Sequence, residues 1–134
     1  MSQENVEIVR GSFLAVSGGD PMAAPRFYDP AIEWDMSGVT GWVEKPVYRG
    51  REVIPFLQAW ADSWQDWHFD VDEVRDGDGE RVFAAIHEWG IGGDTGVHVD
   101  QRRYFAVTLR GGRAVRVQMF SERDHALTAV GLKE

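Results

Sequence analysis

From Trp67 to Phe120 the chain is almost continuous two-residue alternation, punctuated by glycine-rich turns, and this half of the sequence dictates what the rest can become. Trp67, Phe69 and Val71 alternate in one run, and Asp76-Gly77-Asp78-Gly79 forms a strong turn. Arg81 to about Ile91 is the next expected strand, with Gly90, Gly92, Gly93 and Gly96 marking its loose end. Val97 to Leu109 is a long strand, and Gly111-Gly112 turns it into Ala114–Phe120. Consecutive long strands joined by tight turns form an antiparallel meander. Such a sheet twists strongly and must bury a face.

The first half supplies the cover. Val6, Val9, Phe13 and Val16 recur at helical spacing, which predicts a helix over Ser2–Ser17, with Ser2 as its cap and Gly18-Gly19 as its stop. Asp20 and Pro21 open a second short helix to about Tyr28, shortened or kinked by Pro25. Ala31 to Met36 reads as a strand, with Ile32, Trp34 and Met36 on one face and Glu33 and Asp35 on the other. Ser37 to Tyr48 reads as a long loop, and about Glu52 to Trp64 as a third helix with Val53, Phe56, Leu57, Trp60 and Trp64 as its stripe. Ser121 to Val130 closes the chain as a short helix stopped by Gly131. Helices first and a meander later define an α+β domain. We expect one domain over residues 1–134: a cone-shaped, antiparallel (mixed) sheet wrapped around three helices of the N-terminal half, with a pocket at its centre.

Composition narrows the function. Cysteine is absent, so disulfides and thiolate metal sites are excluded. Met1 to Asn5 is polar and acidic, without the pattern of a signal peptide, and no apolar run is long enough for a membrane span. A reducing cytoplasm fits both observations. Acidic residues outnumber basic ones 22 to 14, so the average field repels a nucleic-acid backbone. Six tryptophans are many for 134 residues; each indole N–H needs a partner, and a cavity lining is one use for several of them, core and dimer contact the other.

Several segments carry a resemblance to a known family. They are Ser17-Gly18-Gly19-Asp20, Asp29-Pro30-Ala31-Ile32-Glu33-Trp34, Tyr48-Arg49-Gly50-Arg51-Glu52 with Phe56-Leu57, and Arg110-Gly111-Gly112-Arg113-Ala114-Val115 leading into Val117-Gln118-Met119-Phe120. Together they resemble a SnoaL-like, ketosteroid isomerase-like member of the nuclear-transport-factor-2-like superfamily. The resemblance implies a cone fold, a homodimer through the outer sheet face with Tyr104 and Phe120 as apolar patches, and a hydrophobic small-molecule ligand. It also places the general base of the isomerase-like proteins at Asp35, at the cone's mouth. A strand-end Asp that merely starts the loop through Ser37 is the alternative.

His87 shares a face with Phe83, Ala85, Trp89 and Ile91 by alternation, and that apolar face is expected to point into the cone. There His87 would shuttle a proton with Asp35, or sit satisfied in the core. Val97, Val99, Gln101, Arg103, Phe105, Val107 and Leu109 form the expected concave face of their strand, with Gln101 and Arg103 as hydrogen-bond donors at the pocket rim. Phe13, Phe56, Trp60, Trp89, Phe105, Val117 and Met119 are the expected apolar lining. The chain departs from the isomerase pattern at Phe105 and Ser12, where that enzyme's oxyanion donors align. It departs from the cyclase and epoxide hydrolase pattern at Met119, where those keep an acid. His68, His87, His98 and His125 lack metal-ligand spacing, and no metal, nucleotide or flavin cofactor is implied. The sequence leaves open a cofactor-independent isomerase, cyclase or lyase acting on a carbonyl or hydroxyl compound, a noncatalytic binding domain, and a dimeric interaction module with a vestigial pocket.

Overall fold

The structure is a computed structural model that describes residues 2–20 and 23–133; the Ser2 side chain and Pro21, expected to start helices, lie outside the described residues. Helix α1 (Ser2–Ser17) runs over the predicted range and ends at Gly18-Gly19. The second expected helix is a single 3-10 turn, Ala24–Phe27, because Pro25 cannot donate within an α-helix. Strand β1 (Tyr28–Gly38) is longer than alternation alone suggested. The following loop contains a short strand, β2 (Val47–Arg49), that pairs with β1 at Glu33–Asp35. A 3-10 turn at Gly50–Glu52 feeds α2 (Val53–Asp62), and Trp64, expected in that helix, opens β3 (Trp64–Asp76) instead. Strands β4 (Arg81–Gly92), β5 (His98–Arg110) and β6 (Arg113–Phe120) complete the predicted meander, and α3 (Arg123–Ala129) closes it.

The six strands form one sheet in the order β2-β1-β6-β5-β4-β3. All neighbours are antiparallel except β1 and β6, which run parallel with Trp34 opposite Val117. Side-by-side partners on neighbouring strands share a face. Trp34, Val117, Val107 and Val82 form one such row, and it faces the helices. Val6 and Val9 of α1 and Val53 of α2 close over that row, with Phe13 and Phe56 packed alongside.

Asp35, Gln118, Ala106 and Phe83 form the adjacent row, and it faces outward. Here the structure corrects the sequence reading of β4. Phe83, Ala85, His87 and Trp89 lie on the outer face, not the concave one. Phe83 and Ala85 are apolar because α3 docks on them through Ala126, Leu127 and Val130. Both faces of β4 are therefore buried from Val82 to Ile86, and hydrophobicity cannot tell inside from outside there. Leu127 is fully packed at this contact, so Leu127→Ala is expected to cost about 2–5 kcal/mol through the cavity it leaves. Urea denaturation reads the loss, and hydrogen exchange should show it opening α3 before the helix-covered inner face.

Candidate functional site

The inner row does not meet the helices everywhere. Between α1, α2 and the sheet lies a cavity of about 110 Å³. Its walls are mostly rings and branched aliphatics, including Phe13, Trp34, Phe56, Phe69 and Phe105. Phe105 holds the back of it, with Phe13 at 4.9 Å and Trp34 at 6.4 Å between ring centroids. Of the residues expected from sequence, Phe13, Phe56, Trp60, Arg103, Phe105, Val117 and Met119 line the cavity.

One end of the cavity is polar, and it is built around a residue that the sequence reading passed over. Glu88 is only 2 % exposed. One of its carboxylate oxygens accepts from the indole N–H of Trp67 at 2.9 Å and, more loosely, from that of Trp60 at 3.4 Å. The other accepts from the Gln101 amide at 2.7 Å and lies 3.8 Å from Nε of Arg103. The four partners come from α2, β3 and β5, so the carboxylate ties three elements together at the cavity wall. A charge buried this far persists only with such compensation. Gln101 reaches Glu88 from the concave side, as its alternation implied, but stands behind the cavity wall.

Arg103 is the second half of this polar end. Its guanidinium carbon sits 5.9 Å from the ring centre of Trp60, a cation–π distance. Desolvation lowers its pKa, and the neighbouring charge of Glu88 opposes that. Its Nε is buried and has no hydrogen-bond partner among the described residues. Burial also pushes the phenol of Tyr28, in the same wall, upward, so it stays protonated.

The structure places Asp35 elsewhere. Its carboxylate, on the outer face, accepts from Ser37 N at 2.8 Å, Ser37 Oγ at 2.6 Å and Arg116 Nη2 at 3.1 Å. Desolvation pushes its pKa up, but the Ser37 bonds and Arg116 outweigh this, and the net shift is downward. Such a group stabilises the fold fully above its unfolded pKa of about 3.9, and that stabilisation is lost as pH falls through the lower folded value. Asp35→Asn is therefore expected to cost about 1–2 kcal/mol at neutral pH. In acid the variant and the native chain should converge, which urea titrations at several pH values would read.

His87 and Trp89 also lie on the outer face. His87 Nε2 pairs with Asp100 at 2.8 Å, and Trp89 stands between the rings of His87 and His68 at 5.1 and 5.6 Å. Asp35 and His87 thus each have their own outer-face partners and neither touches the cavity. The signal for Glu88 was present in the sequence as a lone acid closing the series Val82, Ala84, Ile86, Glu88. Two tryptophans on other elements supplied indole N–H groups that needed an acceptor.

A cone of sheet around helices, with a cavity at its centre, is the class of architecture defined here. Searched against known families and curated proteins, the chain matches none. Solved structures share its fold over nearly its whole length. A SnoaL-like polyketide cyclase, so named provisionally, from Jannaschia sp. CCS1 superposes with a TM-score of 0.75 at 17% identity, covering 100% of this chain and 96% of that one. A nuclear-transport-factor-2-like protein of unknown function from Burkholderia pseudomallei gives 0.75 at 20% identity, over 97% and 98% of the two chains. A protein with the ketosteroid isomerase-like fold from Catenulispora acidiphila, solved in complex with trimethylamine, gives 0.70 at 15% identity, over 95% and 94%. The chain has this fold, as its sequence resemblance implied. Fold alone assigns no reaction. No helix among the described residues is long and apolar enough to cross a membrane.

Proposed function

We propose that this chain binds a small, largely apolar molecule in the cavity, with the Glu88–Arg103 pair as its polar end. The observation that carries this reading is the convergence of Trp60, Trp67, Gln101 and Arg103 on one buried carboxylate at the edge of an otherwise greasy hollow. Well-formed apolar pockets with a few convergent polar groups are the usual form of a small-molecule site. The trimethylamine bound by one structural neighbour is a ligand of compatible size. Apolar probes should shift the NMR signals of Phe13, Trp34 and Phe105 and leave those of the outer face unchanged. Asp35→Asn should bind such probes as the native chain does, whereas filling the cavity by Val117→Phe should abolish binding.

A catalytic form of the reading is favoured by one fact, a carboxylate inside the cavity wall. In it Glu88, rather than Asp35, takes the acidic proton of a carbonyl compound, Arg103 stabilises the developing enolate oxygen, and the proton returns at another carbon. No cofactor takes part. Exchange of α-deuterium from a bound ketone into water, lost in Glu88→Gln and retained in Asp35→Asn, is its signature; absence of exchange leaves a binding domain. The reading also keeps a homodimer through the outer face, where Tyr104 and Phe120 are partly buried beside the α3 contact. Sedimentation at micromolar concentration should give the mass of two chains, and the mass of one would overturn that part.

A further inference from the structure

We infer that the ligand is a neutral, single-ring compound carrying one acceptor oxygen, and that this oxygen takes a hydrogen bond from the terminal N–H groups of Arg103; the inference rests on reading the cavity as a binding pocket. Size is the first ground. The hollow measures about 110 Å³. An apolar cavity of about 150 Å³ takes one benzene, and a water occupies about 30 Å³ of liquid. One ring therefore approaches the limit, and a fused four-ring skeleton needs walls that have moved apart.

Charge is the second ground. Glu88 and Arg103 cancel each other at the polar end. An anionic ligand would leave that end net negative, and a cationic one net positive. Each would be an extra charge taken out of water without a counter-ion. A ligand cation would also compete for Glu88 with Trp67, Trp60 and Gln101, which already donate to it.

The third ground is the donor set of Arg103. Its side chain is part of the cavity wall and 14 % exposed, although Nε itself is enclosed 3.8 Å from the nearer Glu88 oxygen. The exposed part is the end of the guanidinium, and buried donors in folded proteins nearly always have an acceptor. A carbonyl or ether oxygen on the ligand supplies one to its terminal N–H groups, while the ring stacks among Phe13, Trp34 and Phe105.

Five probes titrated into the native chain, followed by NMR, test this: toluene, acetophenone, benzoate, phenyltrimethylammonium and progesterone. Acetophenone should bind about 10-fold or more tightly than toluene, because it adds one bond from a charged donor. Benzoate, phenyltrimethylammonium and progesterone should bind more weakly than acetophenone. Equal binding of toluene and acetophenone would overturn the Arg103 contact while leaving the pocket reading intact. Tighter binding of either ion would overturn neutrality, and equal binding of progesterone would overturn the size limit. If no probe, toluene included, moves the cavity signals, the pocket reading itself fails. Arg103→Met, with folding checked by the Trp67 indole signal, should keep toluene and lose the preference for acetophenone. Should that variant not fold, the native series decides alone.

Discussion

Glu88→Leu should remove about 3–5 kcal/mol of stability, the usual result of taking away one partner of a buried ion pair. Leucine leaves the Arg103 guanidinium buried without its counter-charge and strands the N–H groups of Trp67, Trp60 and Gln101. Against a typical total of about 5–15 kcal/mol, that brings the chain close to unfolding. Glu88→Gln should cost less, since its carbonyl oxygen can still accept from an indole. The informative variant is the pair Glu88→Leu with Arg103→Met. Replacing a whole buried ion pair by apolar side chains of similar volume is often neutral or stabilising. The double variant should therefore be more stable than Glu88→Leu alone. Urea denaturation of the two single variants and the double one gives the coupling directly. Additive losses would mean that the two charges do not depend on each other.

Gly90→Ala should be the most damaging single methyl group in the chain. The Cβ of an alanine there would lie 1.9 Å from the Asp66 carbonyl oxygen and 2.9 Å from its carbon. The obstacle is backbone, on the paired strand, where the register shifts between Trp64 and Asp66. It cannot swing aside as a side chain would. Gly90 also has φ +155°, in a region L-residues rarely adopt. A loss above about 4 kcal/mol, or failure to accumulate as folded protein, is the expected result. The damage should reach the cavity too, because Trp67 pairs opposite Gly90 and donates to Glu88. Gly96→Ala is the matched control. It also has positive φ, at +68°, but its new Cβ meets nothing within 4 Å. It should cost about 1–2 kcal/mol, the backbone strain alone. Circular dichroism and thermal melting of the two variants compare the clash with the strain.

How much of this was legible in the sequence differs from element to element. Helix α1 and the four-strand meander were, because periodicity and glycine turns are local signals. The inward face of β5 was also legible, since Gln101 and Arg103 alternate with the exposed polar residues Asp100 and Arg102 before α3 buries the outer face at Ala106. The facing of β4 was not. Its outer residues Phe83 and Ala85 are buried by a helix more than 35 residues later in the chain, and no local pattern carries that information. Everything hung on that face then moved with it: His87 and Trp89 went outward, and Glu88 inward. Strand β2 was hidden because three residues beside a proline give no periodicity, and it exists only through pairing with Glu33–Asp35. Asp35 drew attention through resemblance, while its own alternation with Trp34 and Met36 already pointed it away from the helices.

Xenon under pressure tests the central claim most directly, since it enters apolar hollows without needing a hydrogen bond. A crystal structure so prepared should show xenon among Phe13, Trp34 and Phe105, with Glu88 inside and held by Trp67 and Gln101. Solid side-chain packing at that place, or a Glu88 carboxylate turned out to solvent, would contradict the account.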